Sequence, residues 1–173
     1  MQLTQKHLGS AGGFIWGKVT GIDQDYRGGV VWFGTRPGFR APLCRMLGMP
    51  MGFEDEFRAA LRSAPGLIVL DDGLDITEEA VETLCDAALT GHIVALTLDS
   101  MRQDATPKLL EATLPLTTPG EPRRLLYSHL ATVAPRLPTQ VIRKIFDLLV
   151  KSGLTMHEAL SILGDRGDTS SKP

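Results

Sequence analysis

The sequence is poor in several features that mark specialised classes of protein. Only two cysteines occur, Cys44 and Cys85, and they form no CxxC pair. This argues against a zinc ribbon and fits a reducing compartment. The longest apolar run, at 66–70, falls far below the ~18 residues of a bilayer span, so we expect no membrane insertion. The first ten residues also lack the apolar core of a secretory signal.

Charge of one sign is not in excess either. The chain has 18 basic and 20 acidic residues and a formal net charge of −2. That balance excludes a strongly basic nucleic-acid binder, so we expect no nucleic-acid partner. With 173 residues, 43% of them hydrophobic, the chain can build one domain with its own core.

Three short apolar runs predict buried strands. They lie at 28–34, 67–72 and 92–98, and a further short strand is possible within 14–19. The second and third runs flank a helical pattern that Thr77 can cap and Gly91 can end. Residues 67–98 therefore predict a strand–helix–strand unit with parallel strands.

The remaining patterns are helical. A helix is predicted at 53–62, and four more follow near 104–112, 121–134, 138–152 and 155–163. Thr155 and Glu158 have the spacing of a capping box for the last one.

Carboxylates follow the two central strands. Asp71 and Asp72 end one strand and Asp99 ends its neighbour, at the edge where ligands bind in open α/β sheets. Acids there can hold Mg²⁺ or orient a nucleophile. The alternative is a solvated strand end, which the mutual repulsion of three acids favours.

Two other features have ordinary structural explanations. His92 begins a strand directly after a glycine, where a histidine usually satisfies a helix C-terminal carbonyl. The segment 34–41 follows a strand as a phosphate loop would, but Phe39, Arg40 and Ala41 replace the motif's second glycine, lysine and hydroxyl residue. By pattern alone it is not a phosphate loop.

The segment FEDEFRAALRSAPGLIVLDDGLD, followed by AALTGHIVALTLDS, resembles the secretion and pilus ATPases. This superfamily comprises the motors of type II secretion, type IV pili, and type IV secretion or conjugation. The similarity covers about residues 28–163 and is strong over 52–100. The residues in register are Phe57, Ala60, Leu61, Arg62, Pro65, Ile68, Asp75, Thr90, Gly91, His92, Val94, Thr97 and Leu98.

The resemblance implies an α/β fold: a small RecA-like, P-loop-NTPase-type core with a mostly parallel sheet and a helical C-terminal part. It divides the chain into an N-terminal extension (1–27), the core (28–100), the helical part (101–163) and a disordered tail (164–173). It also implies a degenerate nucleotide site, in which Asp72 takes the place of the catalytic glutamate. The other implied site residues are Gly34, Gly38, Arg40, Asp71, His92 and Asp99.

ATP and Mg²⁺ are implied as cofactors only if this altered site still binds them, with Asp71 and Asp72 as the metal ligands. Phe39 puts a ring where backbone approaches phosphate, and Ala41 cannot ligate Mg²⁺. The family's acid-bearing strand would have to fit within 42–66, and we expect it to be missing.

Three functions remain open. The first is a pseudo-ATPase that binds or regulates a pilus, secretion or conjugation machine, with motor components or a second copy of itself as partner. The second is a divergent Mg²⁺-dependent ATPase. The third is an α/β scaffold with an unrelated protein partner. We expect a bacterial cytoplasmic location, with peripheral attachment to an inner-membrane machine as an open alternative.

Overall fold

The computed structural model describes residues 1–9, 12–34, 44–47, 53–71, 76, 78–97 and 106–164. The strands are β1 (Gln2–Leu3), β2 (Gly13–Trp16), β3 (Gly21–Ile22), β4 (Val30–Phe33), β5 (Cys44–Leu47), β6 (Leu67–Leu70) and β7 (Ile93–Leu96). The α-helices are α1 (Gln5–Leu8), α2 (Phe53–Leu61), α3 (Glu78–Leu89), α4 (Thr106–Thr113), α5 (Glu121–Val133), α6 (Thr139–Lys151) and α7 (Met156–Leu163). Short 3-10 turns follow α4 and α5, at Leu114–Leu116 and Ala134–Arg136.

The main sheet has five strands in the order β2-β7-β6-β4-β5, and every neighbouring pair is parallel. Val30 pairs with Leu67, and Leu67 pairs with Ile93, so the central strands start at one level. The predicted α/β class with a parallel sheet is therefore confirmed. The pair β1 and β3 forms a small separate parallel sheet.

Apolar residues cover both faces of the main sheet, which explains why its strands read as continuous apolar runs. One face packs against the helices; its strand residues are Phe14, Trp16, Val31, Phe33, Ile68, Leu70, Val94 and Leu96. The other face packs against the N-terminal segment, through Leu3, Leu8, Val19, Ile22 and Tyr26. Burial of both faces leaves the ends of the strands as the places where the sheet can present polar groups.

The sheet begins earlier in the chain than predicted. β2 lies within the predicted N-terminal extension, and it pairs with β7 along its whole length. A division at residue 28 therefore falls within one sheet. The sequence pattern did not indicate that β2 joins the main sheet, because glycines at 12, 13 and 17 surround a run of only three large apolar residues.

A strand that the sequence analysis did not predict lies within 42–66: β5 occupies 44–47 and pairs with β4. Its residues are Cys, Arg, Met and Leu, so it carries no acid, and the expected absence of the family's acid-bearing strand stays a prediction. β5 was missed because it is an edge strand of only four residues. Arg45 interrupts its apolar run, and prolines at 42 and 50 flank it, so neither length nor period marks it.

The predicted helices and end signals agree closely with the observed ones. Gly91 ends α3 in the left-handed region, with φ of +102°. The capping box at Thr155 forms, since Glu158 N–H donates to Thr155 Oγ1 at 3.2 Å and Thr155 N–H donates to Glu158 Oε2 at 2.7 Å. The predicted cap Thr77 and the tail beyond Gly164 lie outside the described residues.

Among the residues that the structure describes, no helix combines the length and the apolarity that crossing a membrane requires.

Candidate functional site

The carboxyl ends of the central strands bring two predicted site residues together. Gly34 follows β4 and Asp71 follows β6, and these strands are neighbours. The backbone N–H of Asp71 donates to the Phe33 carbonyl at 2.9 Å, which fixes the two strand ends side by side. Asp71 is 8% exposed and Gly34 has φ of +115°. The structure thus places a buried acid beside a glycine turn.

The strand order gives this edge its significance. After β4 the chain moves outward to β5, whereas after β6 it moves the opposite way to β7. Neighbouring strands whose connections diverge leave a crevice at their carboxyl ends, the usual ligand position in parallel α/β sheets. The β4–β6 boundary meets this condition.

A second divergence, which the sequence analysis missed, lies between β2 and β7. The segment after β2 packs on the N-terminal face through Val19, whereas the helix after β7 packs on the other face through Leu109. Gly17 N–H donates to Leu96 O at 2.9 Å, so these strand ends also meet. The available signal was the buried run between Gly13 and Gly17, which has the same form as the run at 28–34.

Across the carboxyl edge, the residues that directly follow β2, β7, β6 and β4 are therefore, in order, Gly17, Thr97, Asp71 and Gly34. Thr97 is 2% exposed, so two buried polar side chains lie on adjacent strand ends. Four other predicted site residues lie outside the described part of the chain. They are Gly38, Arg40, Asp72 and Asp99. The predicted Mg²⁺ pair Asp71 and Asp72 accordingly stays a prediction.

The connection after β4 is short for a phosphate-binding unit. Residues 34–43, ten in all, separate Phe33 from Cys44. A phosphate loop takes eight residues from its first glycine and then requires a helix, whose N-terminus binds the phosphates. Two residues remain before β5, fewer than the 3.6 of one helical turn.

The connection after β2 is shorter still. Four residues, Gly17–Thr20, lead straight to β3 at Gly21. Two of their backbone N–H groups are already engaged: Gly17 donates to Leu96 O at 2.9 Å and Thr20 donates to Met1 O at 2.8 Å. Phosphate cradles require several free N–H groups that point at one anion. This loop does not provide them.

His92 lies at the other end of the sheet from Asp71. It precedes β7, level with Gly66, so about five residues or roughly 16 Å of strand separate it from the carboxyl edge. Its Nδ1 atom is 2.5 Å from the carbonyl oxygen of Pro65. A carbonyl only accepts, so Nδ1 carries the proton. The structure does not bring His92 together with Gly34 and Asp71.

The other members of the TGH motif also have structural roles. Thr90 Oγ1 donates to Asp86 O at 2.8 Å and lies 3.1 Å from Ala87 O, which satisfies carbonyls at the end of α3. Gly91 supplies the left-handed turn, and His92 N–H donates to Ala87 O at 3.1 Å. The motif that carries the resemblance therefore closes a helix and starts a strand in this chain.

The described residues contain no group of three or more histidine, cysteine, aspartate or glutamate side chains placed to hold a metal ion.

No protein-family model and no curated protein sequence matches the chain. Among solved structures, it is similar to the ATPase DotB of Legionella pneumophila, at 18% identity and a TM-score of 0.40, over 73% of this chain and 40% of that one. It is also similar to the ADP-bound pilus retraction motor PilT, at 16% identity and a TM-score of 0.44, over 96% of this chain and 66% of that one.

The chain spans less than two thirds of the length of either one.

Proposed function

We propose that this chain is a degenerate, catalytically impaired relative of the secretion and pilus ATPases that acts as a binding or regulatory subunit. Its partner would be a component of a type IV pilus, a type II or IV secretion system or a conjugation machine, or a second copy of the chain. Under this proposal it works in the bacterial cytoplasm, at the periphery of an inner-membrane machine.

One observation carries the proposal. Only ten residues, 34–43, lie between β4 and β5, and only four, 17–20, lie between β2 and β3, which is fewer than an eight-residue phosphate loop and one following helical turn require. Phosphoryl transfer depends on positioning and on charges that stabilise the transferred group. Without that cradle the fold keeps its sheet and helices but lacks the means to hold a triphosphate for hydrolysis.

Calorimetry of the purified chain with ATP and ADP in the presence of Mg²⁺ tests the catalytic half of the proposal. We expect no binding at millimolar nucleotide and no ATP turnover. Micromolar binding would overturn it. Turnover that Asp72→Ala abolishes and the exposed Asp86→Ala leaves intact would identify a divergent ATPase, with buried Asp71 beside its metal.

The partner half is tested separately, by mixing the purified chain with purified motor and pilus components and measuring association by analytical ultracentrifugation. We expect a complex with one of these components or a self-associated species. A chain that stays monomeric and binds none of them would refute the regulatory role, whatever its nucleotide affinity.

A further inference from the structure

A long groove crosses the helical part of the molecule. It consists of two adjoining cavities of about 380 and 510 Å³, between α4 with its 3-10 turn and the second half of α6. The cavities share Glu111, Leu148 and Lys151, so they form one surface, here named the α4–α6 groove. Its floor is apolar, with Leu114 and Pro115 on one side and Leu148 on the other.

The groove follows a regular stripe on α6. Lys144, Leu148 and Lys151 stand at positions i, i+4 and i+7, so they lie on one helix face with the leucine between the two lysines. Seven residues of rise give this stripe a length of about 10 Å, close to two turns of a helix laid alongside it.

Cations exceed acids along the groove. Among the described residues its charged lining is Lys108, Arg123, Lys144 and Lys151 against Glu111 and Asp147, four minus two, which gives these residues a net charge of +2. The chain as a whole has a formal net charge of −2, so the net charge of the groove has the opposite sign.

The two lysines of the stripe are available for a partner. Lys144 and Lys151 are both exposed. Within the described part of the chain neither ammonium forms an ion pair, although Glu111 and Asp147 line the same groove. Arg123 is held differently, since its Nε donates to Thr117 O at 3.1 Å, which orients the guanidinium at one end of the groove.

We propose that the α4–α6 groove docks an acidic amphipathic helix of a protein partner. The partner's apolar residues lie on the floor at Leu114 and Leu148, and its carboxylates face Lys144, Lys151 and Arg123. This is the helix-in-groove mode, with anchors at i, i+3 or i+4 and i+7. Glu111 and Asp147 within the lining disfavour a polyanion such as nucleic acid. The inference rests on the proposed role as a partner-binding subunit and names the surface that serves it.

Nuclear magnetic resonance on the ¹⁵N-labelled full chain tests the groove directly. The probes are 14-residue amphipathic peptides with one fixed leucine stripe, whose flanking positions are all Glu, all Gln or all Lys. We expect the Glu peptide to shift the amide signals of Glu111, Leu148 and Lys151 in a saturable way. The Lys peptide should shift none of them.

A second experiment reverses the charge of the two groove lysines. The double variant Lys144→Glu/Lys151→Glu should weaken binding of the Glu peptide by about tenfold, or about 1.4 kcal/mol. Arg143→Glu, on the same helix and equally exposed, lies outside the groove lining and should leave binding unchanged. If the first variant folds poorly, Lys144→Gln/Lys151→Gln replaces it. This variant should also weaken binding of the Glu peptide, and it adds no negative charge.

Three results would overturn the inference: no saturable shift with the Glu peptide, equal binding of the Glu and Lys peptides, or shifts that lie outside α4 and α6. Binding of vesicles of anionic lipid that the double variant abolishes, without peptide binding, would assign the groove to a membrane surface instead. If the chain associates with a motor component but the double variant associates equally well, the groove inference fails and the proposed function stands.

Discussion

The indole N–H of Trp16 donates to Thr117 Oγ1 across 3.3 Å, and both residues are buried. Thr117 Oγ1 in turn donates to the carbonyl of Thr113 at 2.9 Å. This chain of two hydrogen bonds ties the last residue of β2 to the junction between α4 and α5. It is a polar connection between the edge of the sheet and the helical part that carries the α4–α6 groove.

Thr117→Val should therefore destabilise the protein by about 1–3 kcal/mol. The substitution keeps the shape but leaves the buried Trp16 N–H without its acceptor and removes the hydroxyl's bond to the Thr113 carbonyl. Thr118→Val is the matched control, because Thr118 is exposed, and it should change stability by less than about 0.5 kcal/mol. Urea unfolding measures both, and equal effects at the two positions would contradict the assignment.

His92→Ala should lower the stability by about 1–2 kcal/mol, because it leaves the buried Pro65 carbonyl without its donor. His157→Ala, at an exposed position of α7, should be close to neutral. Nitrogen NMR of the imidazole checks the basis of this prediction, and the expected tautomer has its proton on Nδ1. A proton found on Nε2 alone would contradict the observed contact.

Gly12→Ala should cost more than Gly91→Ala, although both glycines have φ near +100°, at +103° and +102°. A Cβ on Gly12 would meet the Ala88 carbonyl oxygen at 2.6 Å and the Gly91 Cα at 2.8 Å, and both are backbone atoms that move together with α3. A Cβ on Gly91 would meet nothing within 4 Å. Its cost should be only the left-handed strain of about 1–2 kcal/mol. Thermal unfolding measures the loss of stability in each variant, and Gly12→Ala should have the lower melting temperature.

The carboxylate of Glu121 joins the N-terminal segment to α5. A hydrogen bond from Lys6 is the largest cause that lowers its pKa below 4.5, and the charges of Lys6, His7 and Arg124 act in the same direction. A lowered folded pKa gives stability that is present above the unfolded value and is lost as pH falls through the folded one.

Glu121→Gln should therefore be less stable than the natural chain at pH 7, and the difference should shrink as pH falls below about 4. Urea unfolding between pH 7 and pH 3 measures this dependence. Glu82→Gln, an exposed acid on α3, serves as the control. A gap that is constant with pH would show that the ion pairs contribute no stability.

Sequence reasoning recovered the elements whose signals are local. α3 and β7 follow from Gly91 and an apolar run, and α7 follows from the spacing of Thr155 and Glu158. It missed β5 and the membership of β2 in the sheet, because short strands between glycines or prolines take their identity from the neighbour they pair with. Pairing over 80 residues, as between Phe14 and Val94, leaves no trace in a local pattern.

For the candidate site too, sequence reasoning was right about some residues and not about others. Asp71 was predicted to lie at the carboxyl edge because it ends a strand, and Gly34 was added to the site through the resemblance; the structure places the two side by side. His92 was grouped with them through the TGH motif, whose residues instead close α3 and hold Pro65. The TGH motif was enough to predict the fold. The end of the sheet at which each residue lies depends instead on its position along its strand.

The pairing of β2 with β7 also sets a time order for folding during synthesis. Val94 leaves the ribosome 80 residues after Phe14. At about 5–20 residues per second, that interval lasts roughly 4–16 s. Throughout it the apolar residues of β2 have no strand to join, while β4, β5 and β6 can already pair with one another. β2 can therefore complete its pairing in the sheet only after β7 has been synthesised.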